Sequence, residues 1–346
     1  MVGGSVIYLK PIEILYVIFG FFFSFLICNF LVPHVMRKMK DLKITGVDVH
    51  KLDKPVIPEM GGLAILISII VGLSLTAVLF EDNLTRLRLL GFLLTVAASG
   101  AVGIIDDLKR LGAYTKTILT VIAALPLLII NFFYPILVSS PRFPFIGRTR
   151  LSILYPIYVP VNVAVCSNTV NMLDIMNGVM PGTTIITFGA MLCCSVLLDS
   201  KTGIIISAVM LGVMIAYYRF NRYPARVFSG DVGSLTVGAA IGALAIVGEL
   251  EIVTVIALIP FIMNSFYMLS SMGKLMEYRL VKSPATILLP DGRIAASKDP
   301  KAPIPLVRMI LARGPLTEPE IVRGFYLLSF FSSFLAILTA ILMVWW

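Results

Sequence analysis

Histidine is nearly missing from this chain: His34 and His50 are the two among 346 residues. A histidine-centred metal site needs several imidazoles together, and a Ser-His-Asp triad needs one beside its nucleophile, so both are poor candidates. Cysteine is scarce too. Cys28, Cys166, Cys193 and Cys194 lie in or beside apolar segments, without the spacing of a zinc site or a disulfide framework, so buried structural thiols are expected. Charge is thin, at 14% of residues, where a soluble domain carries about a quarter. With 58% hydrophobic residues, a soluble fold is excluded and a polytopic membrane protein remains. The net charge of +9 suits anionic lipid or a phosphorylated substrate. Its basic residues are separated by apolar spans, so no nucleic-acid partner is expected.

What is abundant is long apolar sequence. A membrane-crossing helix needs about 20 mostly apolar residues. That ruler gives about ten spans, near 12–36, 61–80, 87–105, 117–138, 156–173, 183–199, 203–219, 232–248, 251–272 and 324–346. The first run is too long for a signal-peptide core and no small-residue cleavage site follows it, so it reads as an uncleaved membrane helix. Pro126, Pro135, Pro156 and Pro160 predict kinks or late starts in the fourth and fifth spans. The expected fold is all-α and polytopic, with residues 1–346 forming one integral membrane domain. Loops 37–60, 106–116, 174–182, 219–231 and 273–323 share one face and hold 21 Lys and Arg, against 7 on the other. The positive-inside rule then makes the richer face cytoplasmic and puts both termini outside.

Each polar cluster of note falls on that face. Gly103 to Lys116 (GIIDDLKRLGAYTK) sets Asp106 and Asp107 at the end of an apolar run, where ionised groups cost several kcal/mol each by the moderate scales unless a metal, cation or substrate offsets them. Alone, the pair could equally be a solvated helix cap. In Cys166 to Gly182, residues Asn168, Asn171, Asp174 and Asn177 recur every third position, forming one stripe at a helix end. Interhelical hydrogen bonding would also account for them, but the stripe runs into Asn177-Gly178 and Pro181-Gly182, turns that let backbone approach a ligand. Arg219 to Ser234 carries three arginines and places Asp231 after Gly230, where a helix N-terminus would offer N–H groups to an anion. Gly46 to Gly62 is a charged loop stiffened by Pro55 and Pro58. In the last loop, Pro290-Asp291-Gly292 predicts a β-hairpin turn, Ile304 to Arg313 an amphipathic helix lying on the membrane, and Thr317 to Glu320 a capping box opening the last helix. That loop could act as a surface anchor or as a lid.

Five loops from one face thus bring together Asp106, Asp107, Asn171, Asp174, Asp231, Lys116 and several arginines. Carboxylate and amide oxygens without His or Cys favour a hard cation, and Mg²⁺ is usually held by one or two carboxylates plus substrate phosphates. Lys and Arg beside it are what phosphoryl transfer requires. A site at a membrane face points to a lipid substrate.

The residues DKPVIPE (Asp53 to Glu59), GIIDDLKRLGAYTK, CSNTVNMLDIMNG and RYPARVFSGD resemble, in order and over nearly the whole chain, the polyprenyl-phosphate N-acetylhexosamine-1-phosphate transferases. The branch they resemble is that of the eukaryotic and archaeal dolichyl-phosphate GlcNAc-1-phosphate transferases. The resemblance implies UDP-N-acetylglucosamine as donor, a polyprenyl or dolichyl phosphate as acceptor, and Mg²⁺ as cofactor, with Mn²⁺ an alternative. The products are UMP and GlcNAc-diphosphate-lipid, the first lipid-linked step of N-glycan or related glycan assembly. It further implies that Asp231 and Asn171 hold the metal and Lys116 contacts the phosphates. Asn177 and Phe228 would bind uridine, and Glu59 would sit at the nucleotide-sugar pocket. Asn168, Gly230, Arg279 and Lys282 complete the substrate-binding set. Asp106 and Asp107 match the family's DD motif, as base, metal support or acceptor positioning. A phosphate monoester has its second pKa near 6, so the acceptor needs no strict base and positioning should dominate. The chain departs from the family in its last loop, where the expected basic His- and Arg-containing motif is not visible. This leaves the choice among UDP-acetamido sugars open.

The implied setting is an archaeal-like cell membrane, or the endoplasmic reticulum for a eukaryotic chain. The oligomeric state is left open, a homodimer being one option. A rival from another class is a secondary transporter, which would place its ionisable residues near mid-span.

Overall fold

A computed structural model describes residues 9–273 and 283–345. In chain order the helices are α1 (Pro11–Asp41), α2 (Gly62–Leu79), α3 (Asn83–Lys109), α4 (Ala113–Ile122), α5 (Leu125–Phe133), α6 (Tyr155–Leu173), α7 (Val179–Leu197), α8 (Lys201–Asn221), α9 (Gly230–Val247), α10 (Glu251–Ala257), α11 (Ile259–Met272), α12 (Leu306–Ile310) and α13 (Glu318–Trp345). Three antiparallel strand pairs decorate the connections: β1 (Thr45–Val47) with β2 (Val56–Pro58), β3 (Arg142–Phe143) with β4 (Gly147–Arg148), and β5 (Thr286–Leu288) with β6 (Ile294–Ala296). The last pair is the hairpin expected around Pro290-Asp291-Gly292.

Eight helices among the described residues are long and apolar enough to cross a membrane, or nine when the α10–α11 pair is one bent span. The protein is an all-α polytopic membrane protein. The remaining expected span is α6. It has 19 residues, but Asn162, Asn168 and Asn171 lower its hydropathy, and its neighbours satisfy those amides. Prolines act where expected: α4 and α5 break just before Pro126, and Pro156 sits in the first turn of α6. The span expected over 251–272 is not straight. It bends by 63° at Leu258, two residues before Pro260, whose ring cannot follow a preceding helical turn.

The bundle is organised around α9, whose residues Val232 to Val247 are all buried. A helix that is apolar all round is surrounded by protein, and α3, α6 and α2 pack on this one. Small residues permit the approach. A Cβ on Gly238 would lie 2.5 Å from the Cys166 carbonyl oxygen, and one on Gly242 would lie 2.8 Å from the Val163 Cα. Such small-residue faces are how helices pack closely in membranes. Phe22, Phe30, Phe132 and Leu327 point outward, as a lipid-facing surface requires. Cys28, Cys166 and Cys194 are buried as expected, whereas Cys193 is exposed on α7.

The segment Ile304 to Arg313 differs from its expectation. It forms only the short α12 and a following 3-10 turn, and it packs into the protein instead of lying on lipid. Leu306, Val307 and Leu311 are buried in the core, the Leu306 N–H donates to Asn264 Oδ1 at 3.0 Å, and Arg308 turns back onto the Ala302 and Pro303 carbonyls. The opening of α13 matches the expected capping box: Thr317 N–H and Oγ1 donate to Glu320 Oε2 at 2.8 and 2.7 Å.

Candidate active site

One end of the bundle holds a cavity of about 470 Å³. Its walls come from the β1–β2 loop, the starts of α4 and α9, the α6–α7 connection, α11, α12 and the first residue of α13. The five loops expected to share a face therefore do converge.

The last turn of α3 and the first of α4 and α9 build its polar floor. Arg110 adopts a left-handed conformation (φ 52°) that ends α3, and the Leu111 N–H donates to Asp106 Oδ1 at 2.6 Å. The chain then doubles back so that Lys116, in the first turn of α4, ion-pairs with Asp106 Oδ2 and lies 3.3 Å from Asp231 Oδ1. Asn171, near the end of α6, donates through Nδ2 to Asp231 Oδ1, and also to Ser234 Oγ at 2.8 Å. Lys116 and Asn171, far apart in sequence, thus meet at Asp231.

The two aspartates of the DD pair have different surroundings. Asp106 is only 2% exposed and lies behind Lys116, off the cavity wall. Asp107 reaches the cavity, but its Oδ1 accepts the Asp231 N–H at 2.8 Å and its Oδ2 the Val232 N–H at 3.0 Å. The N-terminus of α9, expected to offer its N–H groups to a ligand anion, is thus capped by the protein's own carboxylate. Gly230 makes this possible. Its φ is +68°, and a Cβ there would come within 2.6 Å of Asp107 Oδ2.

The Asn-Asp series lines the cavity but is not one helical stripe. The helix stops at Leu173, so Asn168 and Asn171 lie on α6 while Asp174 and Asn177 lie in the loop. The Asn168 amide is engaged in helix packing, donating to Thr120 Oγ1 at 3.0 Å and the Ala164 carbonyl at 2.8 Å. The Ser229 hydroxyl donates to Asp174. Burial pushes the Asp174 carboxyl up to about 6; the Asp231 charge adds to the rise and the Ser229 bond opposes it.

Phe228 and Glu59 share a wall because the α8–α9 loop runs alongside the chain entering α2. The Phe228 N–H donates to the Pro58 carbonyl at 2.9 Å, and the Gly61 N–H to the Phe228 carbonyl at 2.8 Å. Asn177 is held by groups that sequence reasoning missed. Its Nδ2 donates to Asp48 Oδ2 at 2.9 Å and to Glu318 Oε1 at 2.6 Å, and Lys51 pairs with Asp48 beside them. These three charges come from loops that read as solvated anchors, with no periodicity to mark them. The expected arginines are elsewhere: Arg219 bonds Asn29 on the outer face, and Arg226 stacks over Phe220. Arg279 and Lys282 lie outside the described residues.

No group of three His, Cys, Asp or Glu positioned to hold a metal ion occurs among the described residues. The donors present are a carboxylate and an adjoining carboxamide, Asp231 and Asn171. The cavity wall is otherwise rich in acid, with Asp48, Glu59, Asp174 and Glu318. That set suits a hard, oxygen-seeking ion such as Mg²⁺ whose coordination a substrate's phosphates complete.

Fold and site together define a membrane-embedded protein that gathers acids, amides and a lysine around a cavity at one end of its helices. Residues 89–249 match the model of glycosyl transferase family 4. A candidate glycosyltransferase of Methanocaldococcus jannaschii is 30% identical over 332 residues, 94% of this chain and 96% of that one. A candidate UDP-N-acetylglucosamine–dolichyl-phosphate N-acetylglucosaminephosphotransferase of Saccharolobus solfataricus is 28% identical over 90% of this chain and 92% of its own. A phospho-N-acetylmuramoyl-pentapeptide-transferase of Halalkalibacterium halodurans is 31% identical over 72% and 78%. The chain belongs to glycosyl transferase family 4.

Proposed function

We propose that this protein transfers N-acetylglucosamine-1-phosphate from UDP-N-acetylglucosamine to a polyprenyl phosphate of the dolichyl type, at the cytoplasmic face of its membrane. A phosphate oxygen of the lipid attacks the sugar-bearing phosphorus of the donor. The bond from that phosphorus to the oxygen shared with the UMP phosphate breaks, and UMP leaves with the electron pair. The observation that carries this reading is the meeting of Lys116, Asp231 and Asn171 on the wall of a cavity at a helix-bundle end. Lys116 neutralises phosphate charge as it builds up, and buried Asp106 holds Lys116 in place. Asp231 and Asn171 would hold the Mg²⁺, which when bound supplies charge stabilisation to the diphosphate. Because the acceptor phosphate is largely ionised at neutral pH, no carboxylate has to remove a proton. The engaged oxygens of Asp107 and the recessed position of Asp106 agree with that. The acids lie at helix ends, not mid-span, which disfavours a transporter.

The test is UMP release by the purified protein given UDP-N-acetylglucosamine and polyprenyl phosphate, with and without Mg²⁺. The expected result is release that requires all three. Release without lipid phosphate, or release indifferent to the metal, would refute the corresponding part. Competition among UDP-sugars checks the donor, and indifference to the N-acetyl group would replace it by another UDP-sugar.

A further inference from the structure

The basic hairpin between α5 and α6 takes no part in the proposed reaction. It lies at the other end of the bundle, since α9 leaves the catalytic cavity at Gly230 and the chain reaches Glu249 just beyond Val247. The β3–β4 register sets Arg142 directly opposite Arg148. The ladder is prolonged by the Thr149 N–H on the Pro141 carbonyl at 3.1 Å and the Leu151 N–H on the Ser139 carbonyl at 2.9 Å, so the backbone holds the two cations side by side. Like charges directly opposite on a strand pair repel and cost stability. Nearby acid answers only part of this. Glu249 gives one carboxylate oxygen to Arg88 and the other to Arg148. Arg142 is half-buried and stands outside that tie, with no hydrogen bond or ion pair among the described residues. Burial and the Arg148 charge hold its pKa below the ordinary arginine value, Glu249 and Asp199 opposing them. Arg142 and Arg148 line a cavity of about 280 Å³ with Phe143, Phe145, Gly147 and Met343 of α13. The surface around it is apolar. Phe145 and Ile146, at the hairpin tip, are 57% and 73% exposed. Phe331, Phe334, Leu338 and Leu342 recur at helical spacing on α13 and face outward, forming a stripe that ends beside Met343.

We propose that Arg142 and Arg148 clasp the phosphate of a membrane phospholipid whose acyl chain lies along this stripe of α13. A phosphodiester anion relieves the repulsion between the two guanidinium groups and gives Arg142 the acceptor it lacks. The guanidinium fork matches phosphate oxygens in a bidentate pair. The apolar part of the cavity wall suits the glycerol and the first methylene groups, and the outward stripe suits the chain. A free anion would need neither. The bound lipid ties the hairpin to the last helix at the end of the bundle remote from the chemistry, so the inference stands whether or not the transferase reading does.

The chain's two tryptophans, Trp345 and Trp346, come just after Met343, so quenching of tryptophan emission by brominated acyl chains reports binding at this end of the bundle. The experiment titrates the full-length protein in detergent with brominated phosphatidylglycerol, and separately with diacylglycerol carrying the same brominated chains. Phosphatidylglycerol should reach half-maximal quenching at about a tenth of the diacylglycerol concentration or less, the scale of one charge-assisted hydrogen bond. Arg142→Gln should remove most of that preference. Arg150→Gln, which takes the same charge from outside the cavity, should leave it intact. Equal quenching by the two lipids overturns the proposal. So does an undiminished preference in Arg142→Gln, or a matching loss in Arg150→Gln. Inorganic phosphate that displaces the lipid at equal concentration would assign the cavity to a free anion and overturn the lipid. Should Arg142→Gln not fold, the comparison of the two lipids and the phosphate competition, both on the unmodified protein, decide the outcome.

Discussion

The two ends of the helix bundle treat their charges in opposite ways. At the end away from the cavity, Glu249 receives Arg88 at 3.2 Å and Arg148 at 2.7 Å, while Tyr155 donates to Glu251 at 2.7 Å. Acids and donors are matched there, and the result is a tie between α3, the β3–β4 pair, α6 and the start of α10. On the cavity wall, among the described residues, acids outnumber cations, amides point at carboxylates, and Asn177 Oδ1 and Glu318 Oε2 have no hydrogen-bond partner. A matched network holds a fold. An unmatched one, kept at a cost in stability, is what a ligand completes.

The comparison breaks most readily at Asp231. Asp231→Asn removes the charge at which Lys116 and Asn171 meet, and UMP release should fall by about 10³-fold, the scale of losing a preorganised electrostatic group. Retention of more than a tenth of the activity would mean that the cavity end is merely another structural tie. Next comes the pair behind it. Asp106→Asn and Lys116→Met should each lower the rate by about 10- to 100-fold. Since one holds the other, the double variant should be little worse than either single one. The Asp106→Asn rate should also stay low as pH rises above the acceptor's second pKa. Recovery there would assign Asp106 a proton-abstracting role.

The opposite end should respond in stability and not in rate. Glu249→Gln loses two ion pairs whose Glu249 and Arg148 side chains are 27% and 42% exposed, so about 1 kcal/mol of stability is expected after solvent screening. This would be read as a fall in thermal midpoint in detergent, with UMP release unchanged within about twofold. A large loss of rate would show that the ends are coupled.

How much of this was legible beforehand follows from what patterns survive in one dimension. Apolar runs reported the helices, because lipid demands them continuously. Prolines reported the α4–α5 break, though Pro260 was overlooked inside an unbroken apolar stretch, and with it the bend at Leu258. Asp106, Lys116, Asn171 and Asp231 stood out because polar groups beside long apolar runs need a reason. Their division of labour did not: Asp107 caps a helix 124 positions away in the chain, and no local signal announces a partner so distant. Asp48, Lys51 and Glu318 were invisible for the converse reason, being ordinary charges in loops that look solvated. The amphipathic pattern of Ile304 to Arg313 was real, but periodicity says only that one face is apolar, and here that face meets protein.

The smallest expected effect sharpens the contrast most directly, because it asks whether an acid at the cavity wall weakens the fold. Asp174 has its pKa raised by burial to about 6, from an ordinary value of 3.8. The folded state therefore holds this proton more tightly than the unfolded one. The stability it contributes is complete below about pH 4 and is lost as pH climbs through about 6. A carboxamide in its place cannot ionise and still offers an oxygen to Ser229, so the Asp174→Asn variant should escape that loss. Its thermal midpoint should lie near that of the unmodified protein at about pH 4.5 and above it at about pH 8, with the gap opening between. If the Asp174→Asn gap stays constant across the range, Asp174 ionises as easily folded as unfolded, and the cavity end is no less settled than the other.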